Sequence, residues 1–174
     1  MNMKRYYNFN MLKLQNLIVF VAALLATAYS ACESGWRSHG GNCYRFTTEK
    51  QTWPESRQMC LWHKSDLVVI ETAEEQTWFR KEALTFNHTD GDTGFWIGGA
   101  NFNNDGNWIW EPTNKPLTYA PWGSPPQQPN NRENRELCLA SMKYFDYSWS
   151  DEYCNWDVLQ YVCEKKDTGT TIVG

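Results

Sequence analysis

Six cysteines constrain the fold of this chain more than any other feature of its sequence. Their even number predicts three disulfides in a protein that folds in an oxidising compartment, although spacing alone does not choose among the possible pairings. A zinc site is the alternative, but no two cysteines have the C-x₂-C spacing and the histidines are scattered. The cysteines are Cys32, Cys43, Cys60, Cys138, Cys154 and Cys163, and the histidines are His39, His63 and His88.

The N-terminal segment predicts the compartment. Residues 1–16 carry three basic residues and no acid, and the run 17–28 is apolar apart from one threonine. Small residues follow at Ser30 and Ala31, as they do around the cleavage site of a secretory signal peptide. A membrane anchor is the alternative, but a spanning helix needs about 20 apolar residues. We therefore predict a signal peptide over 1–30, a secreted protein and no membrane anchor.

The rest of the chain is acidic, which limits the classes of partner that it can bind. The formal net charge is −4 over 174 residues, with three of the 16 basic residues in the predicted signal peptide. A net negative charge does not attract the phosphate backbone of nucleic acid. It suits cations, among which calcium is an obvious candidate. The length, with 41% hydrophobic residues, predicts one domain with a real core.

Local patterns predict a mixed α+β domain. Two segments begin with the Thr-x-x-Glu pattern of a capping box, which predicts one helix from Thr52 to about His63 and another from Thr72 to about Leu84. Helical periodicity is lost between 101 and 135, where Asn, Gly, Pro and Trp predict long ordered loops around short strands. We predict the main strands at 43–46, 67–70, 95–99, 137–142, 147–150 and 159–164.

Polar side chains near Cys138 and Cys154 predict a cation site. Gln128 and Asn130 flank a proline, Glu136 lies two residues before Cys138, and Ser150 and Asp151 lie shortly before Cys154. If these two cysteines are bonded, the segments lie side by side, and all the converging groups bind through oxygen, as Ca²⁺ prefers. The alternative is that these residues only form turns, as amide and carboxylate side chains in Pro-rich loops commonly do.

The sequence resembles a C-type lectin domain over residues 32–165, which leaves 166–174 as a polar tail. The match extends over nearly the whole mature chain, and its motifs are specific in combination although each is weak alone. They are Cys32-Glu33-Ser34-Gly35-Trp36, Cys43-Tyr44, Thr52-Trp53-Pro54-Glu55-Ser56-Arg57 with Cys60, Asp66-Leu67-Val68-Val69-Ile70-Glu71, Trp96-Ile97-Gly98-Gly99, Trp108, Gln128-Pro129-Asn130, Cys138, Trp149-Ser150-Asp151, Cys154 and Val162-Cys163-Glu164.

The resemblance implies a fold and a set of disulfides. The C-type lectin fold has two small antiparallel sheets, two helices and a long calcium- and sugar-binding loop, and Pro129 stands where the family has a cis proline. Trp96 and Trp149 are expected in the core. The implied disulfides are Cys32 with Cys43, Cys60 with Cys163, and Cys138 with Cys154.

The resemblance also implies a Ca²⁺ site that binds two vicinal sugar hydroxyls directly. Gln128, Asn130, Glu136 and Asp151 match the main calcium ligands and sugar contacts, whereas Ser150, a further metal ligand, replaces the usual Asn. At the first and third positions of the Gln128-Pro129-Asn130 motif, members that bind mannose usually have Glu and Asn, and members that bind galactose have Gln and Asp. The hybrid Gln–Asn pair removes one carboxylate and predicts weak calcium binding.

Sugar choice stays open between the mannose or fucose type and the galactose type. No aromatic residue follows the motif within residues 131–135, which favours mannose or fucose, although Trp122, Tyr144 or Tyr147 are candidates for a stacking face.

An auxiliary calcium site is expected to be weak or empty. Of the two acids expected at Asn101 and Asp105 only Asp105 is present, Leu137 replaces a third, and Asn131 and Glu136 remain.

The predicted function is therefore recognition without turnover. The chain has no H-E-x-x-H or G-x-S-x-G motif and no spare cysteine nucleophile, so we predict that it is not an enzyme. We expect a calcium-dependent lectin that binds carbohydrates on glycoproteins or microbial surfaces, by family analogy in innate immunity, and reaches avidity as a noncovalent oligomer. The alternatives are a calcium-independent lectin-like protein binder and a structural secreted module. Asn87 lies in a glycosylation sequon.

Overall fold

A computed structural model describes residues 32–86 and 93–168. The predicted signal peptide and the Asn87 sequon lie outside the described residues, as do residues 169–174 of the predicted tail. Within these described ranges, no helix is long and apolar enough to cross a membrane.

Both predicted helices are present and begin where the sequence predicts. Helix α1 (Trp53–Trp62) has a complete capping box, in which the Thr52 hydroxyl accepts from the Glu55 N–H and the Glu55 carboxylate accepts from the Thr52 N–H. Helix α2 (Ala73–Ala83) has half of one, because the Glu75 carboxylate accepts instead from the N–H of Glu71, at 2.9 Å. The carboxylate reaches one residue further back along the chain, and this corrects the second predicted box.

In the part of the chain that the structure describes, nine strands form two antiparallel groups that share one strand. The last strand pairs antiparallel with the strands at 42–46 and 66–67, while its first two residues pair parallel with Phe95 and Trp96. The two predicted small sheets are therefore joined, because this strand is long enough to reach both. The strands are β1 (Arg37–His39), β2 (Asn42–Phe46), β3 (Asp66–Leu67), β4 (Gly94–Ala100), β5 (Ile109–Trp110), β6 (Lys115–Pro116), β7 (Glu136–Met142), β8 (Trp149–Tyr153) and β9 (Gln160–Lys166). Strand β9 thus includes Lys166, the first residue of the predicted tail.

The three disulfides have the pairings that the resemblance implies. Cys60 of α1 is bonded to Cys163 of β9, which fastens this helix to the shared strand. Cys138 of β7 is bonded to Cys154 just after β8, and Cys32 is bonded to Cys43 of β2. These bonds leave no free cysteine among the described residues.

Apolar side chains fill two neighbouring clusters between the helices and the sheets. Phe79 and Ala83 of α2 belong to the first cluster, and Trp53 and Cys60 of α1 belong to the second. The pairs are four and seven residues apart, so each lies on one face of its helix. Trp96 and Trp149 are fully buried, which confirms their expected place in the core. Tyr147 is also buried, so it is not a sugar-stacking face.

Residues 101–135 form what we call the long loop. It contains the short strands β5 and β6 and a 3₁₀ turn at Arg132–Asn134, and nothing else in it is regular. The loop returns to the sheet at Trp122, which forms an isolated bridge with Trp149 of β8. The prediction of ordered loops around short strands is therefore confirmed.

Candidate functional site

The end of the long loop is anchored on strand β8. The Gly123 N–H donates to the Trp149 carbonyl at 2.8 Å, and the Gln128 N–H donates back to the Gly123 carbonyl at 3.0 Å. A Cβ atom at Gly123 would collide with the Phe145 ring, so only glycine allows this close approach. The turn from Gly123 to Gln128 therefore begins at a fixed point beside Trp149, two residues before Asp151.

Two side-chain amides lie on either side of Pro129, which directly follows this turn. The Gln128–Pro129 peptide bond is cis, as the resemblance implies. Gln128 is buried and Asn130 is exposed, and the Asn130 amide donates to the Gln128 side-chain oxygen at 2.9 Å. The two amides that the sequence singled out are therefore in direct contact.

Asp151 holds the next two residues of the loop through its buried carboxylate. One oxygen accepts from the Asn130 N–H at 2.9 Å and the other accepts from the Asn131 N–H at 2.6 Å. The side chain is only 1% exposed, so these two hydrogen bonds replace its lost hydration. Asp151 therefore fixes the backbone that carries the Asn130 side chain.

Glu136 continues the same pattern one residue further along the loop. Its carboxylate accepts from the Arg132 N–H at 2.9 Å, so three consecutive backbone N–H groups are bonded to two acidic side chains. Burial raises the pKa of Glu136, the Arg132 N–H partly opposes this, and the negative charge of Asp151 raises it further. Two buried acids thus lie close enough to repel one another.

Strands β7 and β8 explain why these two acids meet. Leu139 pairs with Asp151 in an antiparallel ladder, and the ladder is interrupted by a bulge between Glu136 and Cys138. The Cys138–Cys154 disulfide joins the two strands beside this bulge. The sequence prediction that this disulfide would bring both segments together is consistent with this geometry.

Ser150 is oriented differently from the other predicted ligands. Its buried hydroxyl donates to the Glu152 carboxylate at 2.9 Å, and among the described residues it has no hydrogen bond to Gln128, Asn130 or Glu136. Successive side chains of a strand point to opposite faces, so Ser150 and Asp151 of β8 separate. Glu152, which the sequence reasoning did not single out, is the partner of Ser150.

The neighbouring part of the long loop is cross-linked by amides. Asn131 donates through its side chain to the Asn104 side-chain oxygen at 2.7 Å, and Asn104 donates to the Asn134 carbonyl at 3.2 Å. Asp105 is exposed and accepts from the Asn107 N–H. Sequence reasoning missed Asn104, for which the only signal is its place in the Asn-rich run 101–107.

The donor set of the Gln128–Asp151 cluster fits a hard cation. All four groups offer oxygen, and within the described ranges neither Glu136 nor Asp151 forms an ion pair with a basic side chain. Buried carboxylates without a compensating charge are costly, and a cation removes that cost. The closest grouping of conventional metal ligands elsewhere in the described chain is Cys32, Cys43 and Asp167, whose thiols are consumed by a disulfide.

Comparison with known proteins identifies the class to which this fold and this site belong. The family model for the lectin C-type domain matches residues 49–165, so the chain belongs to the C-type lectin family. Domains of this family bind carbohydrate, typically with Ca²⁺, and are not enzymes.

One relative in sequence and two solved structures illustrate what the chain is similar to. A perlucin-like protein of Mytilus galloprovincialis is 30% identical over 145 residues, which cover 83% of this chain and 90% of the relative. A solved complex of SPL-1 with GlcNAc shares 25% identity and a TM-score of 0.67, covering 81% of this chain and 98% of that one. A calcium-independent type II antifreeze protein shares 26% identity and a TM-score of 0.64, covering 78% and 94% respectively.

Proposed function

We propose that this protein is a secreted, calcium-dependent lectin that recognises terminal sugars at the Gln128–Asp151 cluster. The observation that carries this proposal is the contact network in which Asp151 holds the Asn130 backbone and the Asn130 amide meets Gln128. This network brings side-chain oxygens that can bind a metal from different segments to one place. Glu136, a buried acid like Asp151, lies beside them.

Gln128, Asn130, Glu136 and Asp151 would hold the Ca²⁺. When bound, the ion supplies coordination positions for two vicinal hydroxyls of a sugar. The amides of Gln128 and Asn130 donate to hydroxyl oxygens, whereas the carboxylates of Glu136 and Asp151 accept from hydroxyl hydrogens. The residues thus recognise the orientation of neighbouring hydroxyls rather than performing a reaction.

Calcium affinity belongs at the weak end of the range for extracellular modules, roughly 10⁻⁴–10⁻³ M. Two of the four side chains are neutral amides, and Ser150 faces Glu152. The amides at positions 128 and 130 leave the choice between mannose or fucose and galactose to the surrounding surface. We favour the mannose or fucose type, since residues 131–135 contain no aromatic ring.

The second candidate is a calcium-independent module that binds a protein. One observation favours it: three backbone N–H groups of residues 130–132 already satisfy Asp151 and Glu136. The loop end thus has internal partners in the absence of an ion. The calcium-independent antifreeze protein has the same fold, so this fold tolerates such a state.

The compartment and biological role are part of the same proposal. The N-terminal apolar segment and the three disulfides favour secretion. We propose recognition of microbial or host glycans in innate immunity, with noncovalent oligomers supplying avidity, because one small site binds a monosaccharide weakly.

A glycan array with calcium, repeated with EDTA, tests the proposal. Chelator-sensitive binding to mannose, fucose or galactose structures is expected, and Asp146→Asn, which alters an exposed acid, should bind as the unmutated protein does. Glycan binding that survives EDTA would reject calcium dependence. No binding from folded protein in either condition would reject the calcium lectin and favour the second candidate.

Two charge-restoring variants sharpen the test. Gln128→Glu creates the mannose-type pair and Asn130→Asp creates the galactose-type pair, and each raises the formal ligand charge from −2 to −3. Both are expected to bind calcium more tightly by calorimetry, because affinity follows ligand charge. Unchanged calcium affinity in both variants would show that neither side chain contacts the ion.

A further inference from the structure

The long loop contains an aromatic pocket that the proposed calcium site does not use. The pocket has a volume of about 260 Å³, which is below the roughly 300–1,000 Å³ of pockets that take drug-sized ligands. It therefore suits one small ring. Its walls include Asn107, Trp108, Ile109, Pro116, Leu117 and Trp122.

Two tryptophan rings give this pocket its chemistry. The rings of Trp108 and Trp122 are half-buried and meet edge to face, with centroids 5.3 Å apart. An indole offers an apolar face together with one N–H donor, which is the combination that matches the apolar face and hydroxyl rim of a pyranose. The remaining walls are mainly aliphatic.

The indole N–H groups of this pocket differ from those of the core tryptophans. Trp53, Trp96 and Trp149 each donate to an oxygen of the protein, at 2.8–2.9 Å. By contrast, no described residue accepts a hydrogen bond from the indole of Trp108 or Trp122. Two residues that line the pocket thus have indole donors without an acceptor among the described residues.

The pocket is linked to the proposed sugar site through the chain and its hydrogen bonds. Trp122 bridges to Trp149 of β8, and its ring packs edge-on against the Trp149 ring with centroids 6.2 Å apart. The next residue, Gly123, is bonded to both Trp149 and Gln128. One short turn therefore has a pocket wall at its start and a proposed calcium ligand at its end.

We propose that this pocket binds the second pyranose ring of a neutral oligosaccharide whose terminal sugar occupies the Gln128–Asp151 cluster. The inference rests on the proposed function and specifies its ligand as a disaccharide or longer glycan. The apolar face of the second ring packs on the indoles while its hydroxyls accept from their N–H groups. The protein consequently prefers a disaccharide to its terminal monosaccharide.

Calorimetry in saturating calcium tests this preference with defined probes. We compare methyl mannoside with methyl mannobioside, and methyl galactoside with lactose. The unmutated protein is expected to bind one disaccharide roughly tenfold more tightly than its monosaccharide, which is about 1.4 kcal/mol. Trp108→Leu should abolish that advantage and leave monosaccharide affinity unchanged, whereas the control Trp62→Leu, at a side chain 78% exposed at the end of α1, should preserve it.

The outcomes separate this inference from the function on which it rests. Equal affinity for disaccharide and monosaccharide, or an equal loss of both in Trp108→Leu, rejects the pocket and leaves the lectin intact. A gain with an aryl monosaccharide but not with a disaccharide rejects the second sugar as occupant. No binding of any saccharide rejects both proposals.

A spectrum of the unmutated protein covers the case in which Trp108→Leu does not fold. In a ¹H–¹⁵N spectrum of the indole groups, two tryptophan signals should shift with the disaccharide and stay in place with the monosaccharide. Identical shifts with both probes, or none with the disaccharide, would overturn the assignment.

Discussion

The framework, by which we mean both helices with strands β1–β4 and β7–β9, is held differently from the long loop. In the framework, backbone groups pair with one another in helices and ladders. At the end of the long loop, the N–H groups of residues 130–132 depend on the carboxylates of Asp151 and Glu136. A segment without its own ladder must use acceptors from elsewhere, so its order depends on a few charged side chains.

A half-buried acid in the framework sharpens the contrast. Glu164 of β9 accepts from the Val69 N–H at 2.9 Å and from the Asn42 amide at 2.6 Å. The Glu164 carboxylate adds hydrogen bonds to a segment that already pairs in a sheet. The Asp151 carboxylate instead accepts from backbone N–H groups of a loop that has no strand partner there. We therefore expect ligand binding to respond to changes around Asp151. Changes in the framework away from β7 and β8, which carry Glu136 and Asp151, should alter stability without altering the site.

The largest expected effect comes from two disulfides, one remote from the candidate site and one beside it. Replacing Cys60 and Cys163 with serine removes a bond that closes 103 residues, and the chain-entropy model assigns about 4.7 kcal/mol to a loop of this order. Replacing Cys138 and Cys154 removes a closure of 16 residues, for which about 3 kcal/mol is expected. Urea unfolding measures both losses.

The second pair should nevertheless have the greater effect on the site. Cys138–Cys154 joins the strands that present Glu136 and Asp151, so we expect weaker calcium binding when it is removed under conditions where the chain stays folded. If removing Cys60–Cys163 lowers calcium affinity equally in folded protein, the distinction between the remote framework and the strands beside the loop is wrong.

Asp151→Asn tests the anchoring of the loop directly. The amide replaces one accepting oxygen with a donor, so either Asn130 or Asn131 loses the acceptor for its N–H. An unpaired buried donor costs roughly 1–3 kcal/mol. We expect this loss in the free energy of unfolding measured in EDTA, where calcium makes no contribution.

Asp146→Asn is the matched control for Asp151→Asn. Asp146 is 67% exposed and pairs with Arg80, and exposed ion pairs contribute about 0–1 kcal/mol. Equal losses in the two variants would mean that the hydrogen bonds of Asp151 contribute nothing beyond an exposed pair.

A pH-dependent effect is expected from the framework acid. Burial raises the pKa of Glu164 to about 7, the Val69 N–H lowers it, and the negative charge of Glu75 raises it again. Because the folded state binds this proton more tightly than the unfolded state, the contribution is complete below pH 4.5 and is lost as the pH rises through 7.

Glu164→Gln should flatten this part of the stability profile. Glutamine keeps the neutral form, and its amide can donate to the Asn42 side-chain oxygen, which is buried without a partner among the described residues. Urea unfolding in EDTA between pH 4.5 and 8 is the measurement. A variant profile that falls as steeply as that of the unmutated protein would contradict the assignment.

The smallest expected effect comes from the helix caps. Thr52→Ala and Thr72→Ala each remove a hydroxyl that accepts a backbone N–H, at a cost of about 1 kcal/mol. Both residues cap framework helices, so calcium affinity should stay the same by calorimetry. A change in calcium affinity would show that helix ends and the long loop are coupled.

The local order of the chain was largely predictable from the sequence. Thr52 and Thr72 set the starts of both helices, because a cap depends only on residues three positions away. The loss of periodicity after Asn101 likewise predicted the long loop. The resemblance to a family supplied what spacing could not, namely the disulfide partners and the cis bond before Pro129.

Tertiary structure alone decided how the candidate site is arranged. Ser150 bonds to Glu152 instead of joining Asn130, because strand alternation in β8 turns neighbouring side chains apart. The Asn131 N–H finds its acceptor in Asp151, which lies 20 residues away in sequence. Such a pairing depends on the register and bulge of two strands, and no local pattern encodes where packing brings distant segments together.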